Sequence, residues 1–203
     1  IANMTVAGPV YIPGLLPVNA AAAFTAFNSG SSPDEYAMKF TAPFKCRCIG
    51  ARVYLANIAA GADLSVSLWP ASSSVDGDAL AQKAEDGDFA LATGTDGYLD
   101  MFWAAAVTLI PATIYYLGVR ADTANNIAIG PVVAAAGITN AINAFGIPSG
   151  GTIFQATRTW TAGTAGSWTE TATTTLPVFS LIIDQLDDGA GGGKLVGPGG
   201  LAG

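Results

Sequence analysis

The stretch that most constrains this chain is residues 96–120, DGYLDMFWAAAVTLIPATIYYLGVR. Two apolar runs, 98–109 and 114–119, flank Pro111, Ala112 and Thr113. In the second run Tyr115, Leu117 and Val119 fall on one face, and Ile114, Tyr116, Gly118 and Arg120 on the other. In the first, Leu99, Met101 and Trp103 oppose Tyr98, Asp100 and Phe102. A period of two, written in β-branched and aromatic residues, specifies strands with one face in a core. The runs read as two central strands of an antiparallel sandwich joined by a short Pro-containing turn.

The same alternation recurs from Glu35 onward. Tyr36, Met38 and Phe40 alternate with Glu35, Ala37, Lys39 and Thr41. After Pro43, Phe44, Cys46 and Cys48 share a face, and Gly50 shifts the phase so that Ala51, Val53 and Leu55 continue it. An isolated Gly at a phase shift predicts a β-bulge. Leu64, Val66 and Leu68 predict the next strand, with shorter ones near 79–84, at Ile127–Val133, Thr152–Trp160 and Val178–Asp184. The predicted core is Phe40, Cys46, Cys48, Val53, Leu55, Leu64, Val66, Leu68, Tyr115, Leu117, Val119 and Ile182. Many strands at short spacing without a long helix predict an all-β protein, an antiparallel β-sandwich of jelly-roll type.

The ends read differently. Residues 1–17 hold three prolines, which favour an extended segment over a helix or central strand. Residues 19–30, NAAAAFTAFNSG, fit a short helix or a first strand through Phe24 and Phe27 equally well. From Asp187 the chain is too glycine-rich to fold alone. The expected organisation is an extended N-terminal arm over 1–34, a sandwich over 35–186 and a Gly-rich tail over 187–203. Val10, Tyr11, Ile12, Leu15 and Leu16 are the expected assembly contacts, because large apolar side chains in a Pro-punctuated arm need a surface to cover them.

Composition narrows function mainly by exclusion. The 203 residues contain no histidine, which removes the commonest general base, triad base and transition-metal ligand. Cys46 and Cys48 sit at i and i+2 on one strand face, about 6–7 Å apart, and read as small buried hydrophobes rather than a disulfide. Glu35, Glu85 and Glu170 are the only glutamates, and nothing pairs them as a glycosidase requires. The expectation is a non-enzyme with no cofactor and no resident metal. A net charge of −7 without a basic cluster argues against nucleic acid. The uncharged stretch 123–157 is broken by Asn, Pro and Gly, so no membrane span is expected, and no signal-peptide pattern is visible.

Two ligand classes stay open. The Asp-Gly pairs at 76–77, 86–87 and 96–97 place a possible calcium in loop 71–97, although turn chemistry explains the same pairs. Trp69 and Trp168 are candidate stacking platforms for a sugar ring. Trp69 lies opposite Leu64, Val66 and Leu68 and is expected to be exposed, whereas packing is the alternative for both.

The run FTAPFKCRCIGARVYLANIAAGADLSVSLW at 40–69, followed by VTLIPATIYYLGVRAD at 107–122, resembles the β-sandwich modules of tailed-bacteriophage virion proteins. FSLIIDQLDDGAGGG at 179–193, a last strand running into a glycine tract, is similar to the ends of several such proteins. The resemblance implies a structural or attachment role on a virion, as a capsid decoration, head-fibre or tail-fibre component. Implied partners are copies of the chain itself and other virion proteins. It carries no functional residue across. Related sandwiches also serve as carbohydrate-binding modules, which keeps attachment to a cell-surface glycan as the alternative.

Overall fold

The computed structural model describes residues 4–12, 24–42, 44–57, 59–71, 79, 81–85, 91–133, 153–173, 175–177 and 179–187. Among them there are sixteen strands and no helix. They form two six-stranded antiparallel sheets and two small two-stranded ones.

One large sheet contains β1 (Met4–Ile12), β2 (Thr25–Phe27), β4 (Lys45–Asn57), β7 (Thr95–Leu109), β9 (Ile127–Ile129) and β16 (Phe179–Asp187). Its order is β1-β16-β4-β9-β2, with β7 on β4 as well. The second sheet has the order β14-β11-β3-β8-β5-β6. These strands are β3 (Glu35–Thr41), β5 (Leu64–Pro70), β6 (Ala81–Glu85), β8 (Ile114–Ala121), β11 (Ile153–Arg158) and β14 (Thr169–Thr173). The short segment 19–30, open between helix and strand, supplies strand β2.

One apolar core lies between the two sheets. The first contributes Cys46, Cys48, Val53, Leu55, Leu99, Met101 and Phe179, and the second Met38, Phe40, Leu64, Val66, Leu68, Tyr115, Leu117 and Val119. All twelve predicted core residues are buried. Ile182 differs from the rest in lying outside this inter-sheet cluster, whereas its neighbours Leu181 and Ile183 belong to it. The reason is strand alternation: Phe179, Leu181 and Ile183 face the core, so Ile182 between them points to the other side of the sheet. The cysteines are free and buried as expected.

The two organising runs do not pair with each other. β7 pairs with β4, while β8 lies between β3 and β5 in the opposite sheet. The turn between them therefore passes from one sheet to the other at the surface. Ala112 takes a positive φ of 58° there, and Ala42 holds the turn through hydrogen bonds with the backbones of Ala112 and Thr113. Each run still turns its apolar face inward, from opposite sides.

The predicted irregularity at Gly50 is present: the β4–β7 register shifts between Cys48 and Gly50. A Cβ at Gly50 would stand 2.4 Å from the carbonyl oxygen of Met101, so only glycine permits that approach.

Part of the segment expected as an extended arm, Met4–Ile12, is a strand of the same sheet. Val10, Tyr11 and Ile12 pair with Ile183, Ile182 and Leu181. Pro9 falls where the β1–β16 register shifts, the kind of place an edge strand can accommodate a residue with no N–H. Leu15 and Leu16 lie outside the described residues, as do 72–78, 80 and 86–90 of the proposed calcium loop and the glycine tail beyond Asp187.

Candidate functional site

The most elaborate polar and aromatic construction covers the outer face of the second sheet. Pairing sets Arg158, Glu35, Arg120 and Ser65 in one cross-strand row. The next row is Ala156, Ala37, Gly118 and Ser67, and Tyr116 lies opposite Trp69. The middle row is small, so large side chains can lie flat across it. A Cβ at Gly118 would come within 2.7 Å of Glu35 Oε1. Absence of that carbon lets the carboxylate and the Trp69 indole meet above the strand.

Glu35 is the hub. Trp69 Nε1 donates to its Oε1 at 3.0 Å, and Trp160 Nε1 to its Oε2 at 2.7 Å. Arg158 Nε donates to the same Oε2 at 2.5 Å, completing an ion pair whose side chains are 0% and 1% exposed. A buried carboxylate needs such donors to hold its charge.

Arg158 is also clamped by rings. Its guanidinium carbon lies 4.1 Å from the Trp69 ring centroid, 4.0 Å from Trp168 and 5.0 Å from Trp160. Arg120 stands 4.2 Å over Trp160, and Tyr116 stacks on Trp168 at 4.8 Å with an 8° interplanar angle. Cations and π faces thus alternate across the sheet, each desolvated contact contributing roughly 1–2 kcal/mol. Tyr116 Oη donates to Glu170 Oε1 at 2.7 Å, and Lys39 Nζ to Glu170 Oε2 at 2.7 Å. Lys39 and the Tyr116 hydroxyl hold the Glu170 carboxyl below its ordinary range. Asp34, beside this row, has its carboxyl raised by burial, against a hydrogen bond from the Trp160 N–H.

The cover comes from the segment that follows β11. There β12 (Trp160–Thr161) and β13 (Thr164–Ala165) form a hairpin whose turn residues, Ala162 and Gly163, both have positive φ. β14 then adds a strand to the sheet edge. Trp69 does lie opposite Leu64, Val66 and Leu68, but this cover makes it 1% exposed, correcting its expected exposure. Trp168 is half-buried, with its ring engaged by Tyr116 and Arg158. Sequence reasoning missed Glu35, Arg158 and Trp160 as one unit, since Arg158 and Glu35 are 123 positions apart.

The outer face of the first sheet is of another kind. Tyr98 and Phe102 are 38% and 49% exposed on β7, and Ile110, just after it, is 60% exposed. Between the two rings Asp100 accepts both Nε and Nη2 of Arg52, at 2.5 and 2.6 Å. Tyr54 packs edge-on to Tyr98 and donates to Asp96, and Phe24 stacks on Tyr54. No group of three or more His, Cys, Asp or Glu placed to hold a metal exists among the described residues. No helix among them is long and apolar enough to cross a membrane.

No model of a known protein family matches the chain, and no curated protein sequence matches it significantly.

Proposed function

We propose that this chain is a non-enzymatic structural protein of a virion, a capsid decoration or fibre/tail component of jelly-roll type that assembles with copies of itself. The observation that carries this reading is where apolar surface collects. Among the described residues, the three exposed large hydrophobics are Tyr98, Phe102 and Ile110, all on β7 or directly after it. Grouped exposed apolar side chains mark interaction surfaces, whereas scattered ones do not. Ala104, Ala105 and Ala106 are exposed on the same strand and add flat, uncharged area. The low charge content, 11% of residues, suits a surface covered by neighbours.

The test is the double variant Phe102→Asp with Ile110→Asp, examined by light scattering across a concentration series. Wild type is expected to form a defined oligomer, and the variant to lose it while keeping a β-type circular-dichroism spectrum. A wild type that stays monomeric at the highest attainable concentration, or an oligomer that the variant retains, overturns the reading.

A second reading, glycan attachment, is favoured by one arrangement: the Tyr98 and Phe102 rings flank the Arg52–Asp100 pair, so apolar platforms stand beside hydrogen-bonding groups. Retention of the protein on an immobilised polysaccharide, lost in Phe102→Ala, would select this reading over assembly.

A further inference from the structure

Arg158 is bound on only part of its surface. Trp69 and Trp168 stack on its guanidinium, and Glu35 takes Nε. Nη1 and Nη2 are buried and have no hydrogen-bond partner among the described residues. The Trp168 Nε1 beside them is also buried without an acceptor. Three donors in one place, two of them on a cation, lack an acceptor. Buried polar groups are almost always satisfied, by protein, water or an ion, and leaving a charged donor unsatisfied is costly.

Arg158 also helps line a shallow pocket of about 350 Å³ at the edge of the second sheet. The other described lining residues are Ser32, Pro33, Thr157, Thr159, Gly166, Ser167 and Thr169. Arg158 is the one charged residue among them, and five of the others carry hydroxyls. Ser32 Oγ and Thr159 Oγ1 are 3.2 Å apart and can each donate or accept. A guanidinium whose Nε is taken by Glu35 and whose two Nη groups have no partner, beside a pocket otherwise lined by hydroxyls and no carboxylate, matches one ligand chemistry.

We propose that this pocket is a carboxylate site, in which the Nη1–Nη2 edge of Arg158 grips both oxygens of the ligand and the hydroxyls of Thr159 and Ser167 hold its neighbouring polar atoms. The fork of a guanidinium fits a planar carboxylate bidentately, a match lysine lacks. Because both Nη groups are screened from bulk solvent, binding shifts the pocket wall outward. The tryptophans stacked on the guanidinium report that shift.

The full chain is titrated with sodium acetate and with sodium glucuronate, each against sodium chloride at equal ionic strength, and followed by tryptophan fluorescence and near-UV circular dichroism. A saturable response to the carboxylates that chloride does not produce is expected. Glucuronate binding more tightly than acetate assigns the hydroxyls to a sugar ring; equal binding assigns the site to the carboxylate group alone, and both support the site. Arg158→Lys is expected to abolish the response, but it alters a buried ion pair and can unfold the chain. Thr159→Val and Ser167→Ala leave that pair intact, and each is expected to weaken binding about 2- to 10-fold, the worth of one neutral hydrogen bond. No saturation beyond the chloride control, or saturation unchanged in both wall variants, overturns the proposal.

Discussion

Glu35 and Arg158 form an ion pair on the outer face of a sheet, a position where strands ordinarily meet water, and neither side chain is more than 1% exposed. Trp69, Trp160 and Trp168 exclude the water, and two of those indoles donate to the same carboxylate that neutralises the arginine. Face, cover and charge therefore depend on one another.

Removing one partner should expose that dependence. Glu35→Gln leaves Arg158 charged, buried and short of its counter-ion, and is expected to destabilise the fold by about 3–5 kcal/mol. Denaturant unfolding of Glu35→Gln alone and of Glu35→Gln with Arg158→Met measures it. The double variant is expected to recover part of the loss, since the stranded charge is gone; a double variant worse than the single one would contradict this account.

Gly50→Ala tests the close approach of β4 and β7. The added Cβ meets the Met101 carbonyl, which is backbone and cannot swing aside as a side chain would. A loss of roughly 1–3 kcal/mol is expected from the overpacking, read as a lower Tm. An unchanged Tm would mean that the two strands separate there freely.

The thiols should be silent in the native protein. Burial pushes Cys46 up to about 11 and Cys48 up to about 12, so neither is a thiolate at neutral or mildly alkaline pH. A thiol-reactive dye at pH 8 is expected to label neither until denaturant is added. Rapid labelling of the folded protein would show that the core opens around β4.

Acid sensitivity has a definite sign at the Lys39–Glu170 pair. The Glu170 carboxyl lies below its ordinary value in the folded chain, chiefly because Lys39 donates to it. Its contribution is present above the unfolded carboxylate pKa and is lost as pH falls through the lower folded value. The pair is partly solvated, so the effect is small. Glu170→Gln is expected to flatten the fall of Tm below about pH 4.3 while leaving neighbouring groups to titrate. A variant with the same slope as wild type would remove Glu170 from the account.

Val66→Asp is expected to abolish folding. Val66 is fully buried between the sheets, in register with Val119, and an aspartate there puts a charge into the apolar core. Soluble, cooperatively unfolding protein from this variant would refute the assigned strand phase.

What the sequence by itself determined was which residues face inward. Leu99, Met101 and Trp103, then Tyr115, Leu117 and Val119, are buried as their alternation dictates, because a pleated strand sends successive side chains to opposite sides. Gly50 was legible for a similar local reason, a phase shift marked by the one residue that tolerates it. Tertiary structure alone decided which strands meet: β7 and β8 are separated by only four residues in the chain yet join different sheets. It alone decided what lies above the other face. Alternation places Trp69 opposite the core but says nothing of the hairpin that covers it, and Glu35 finds Arg158 only after β3 and β11 pair across 123 positions. A strand's faces follow from its own geometry, whereas the partner of each face follows from which distant edges pair.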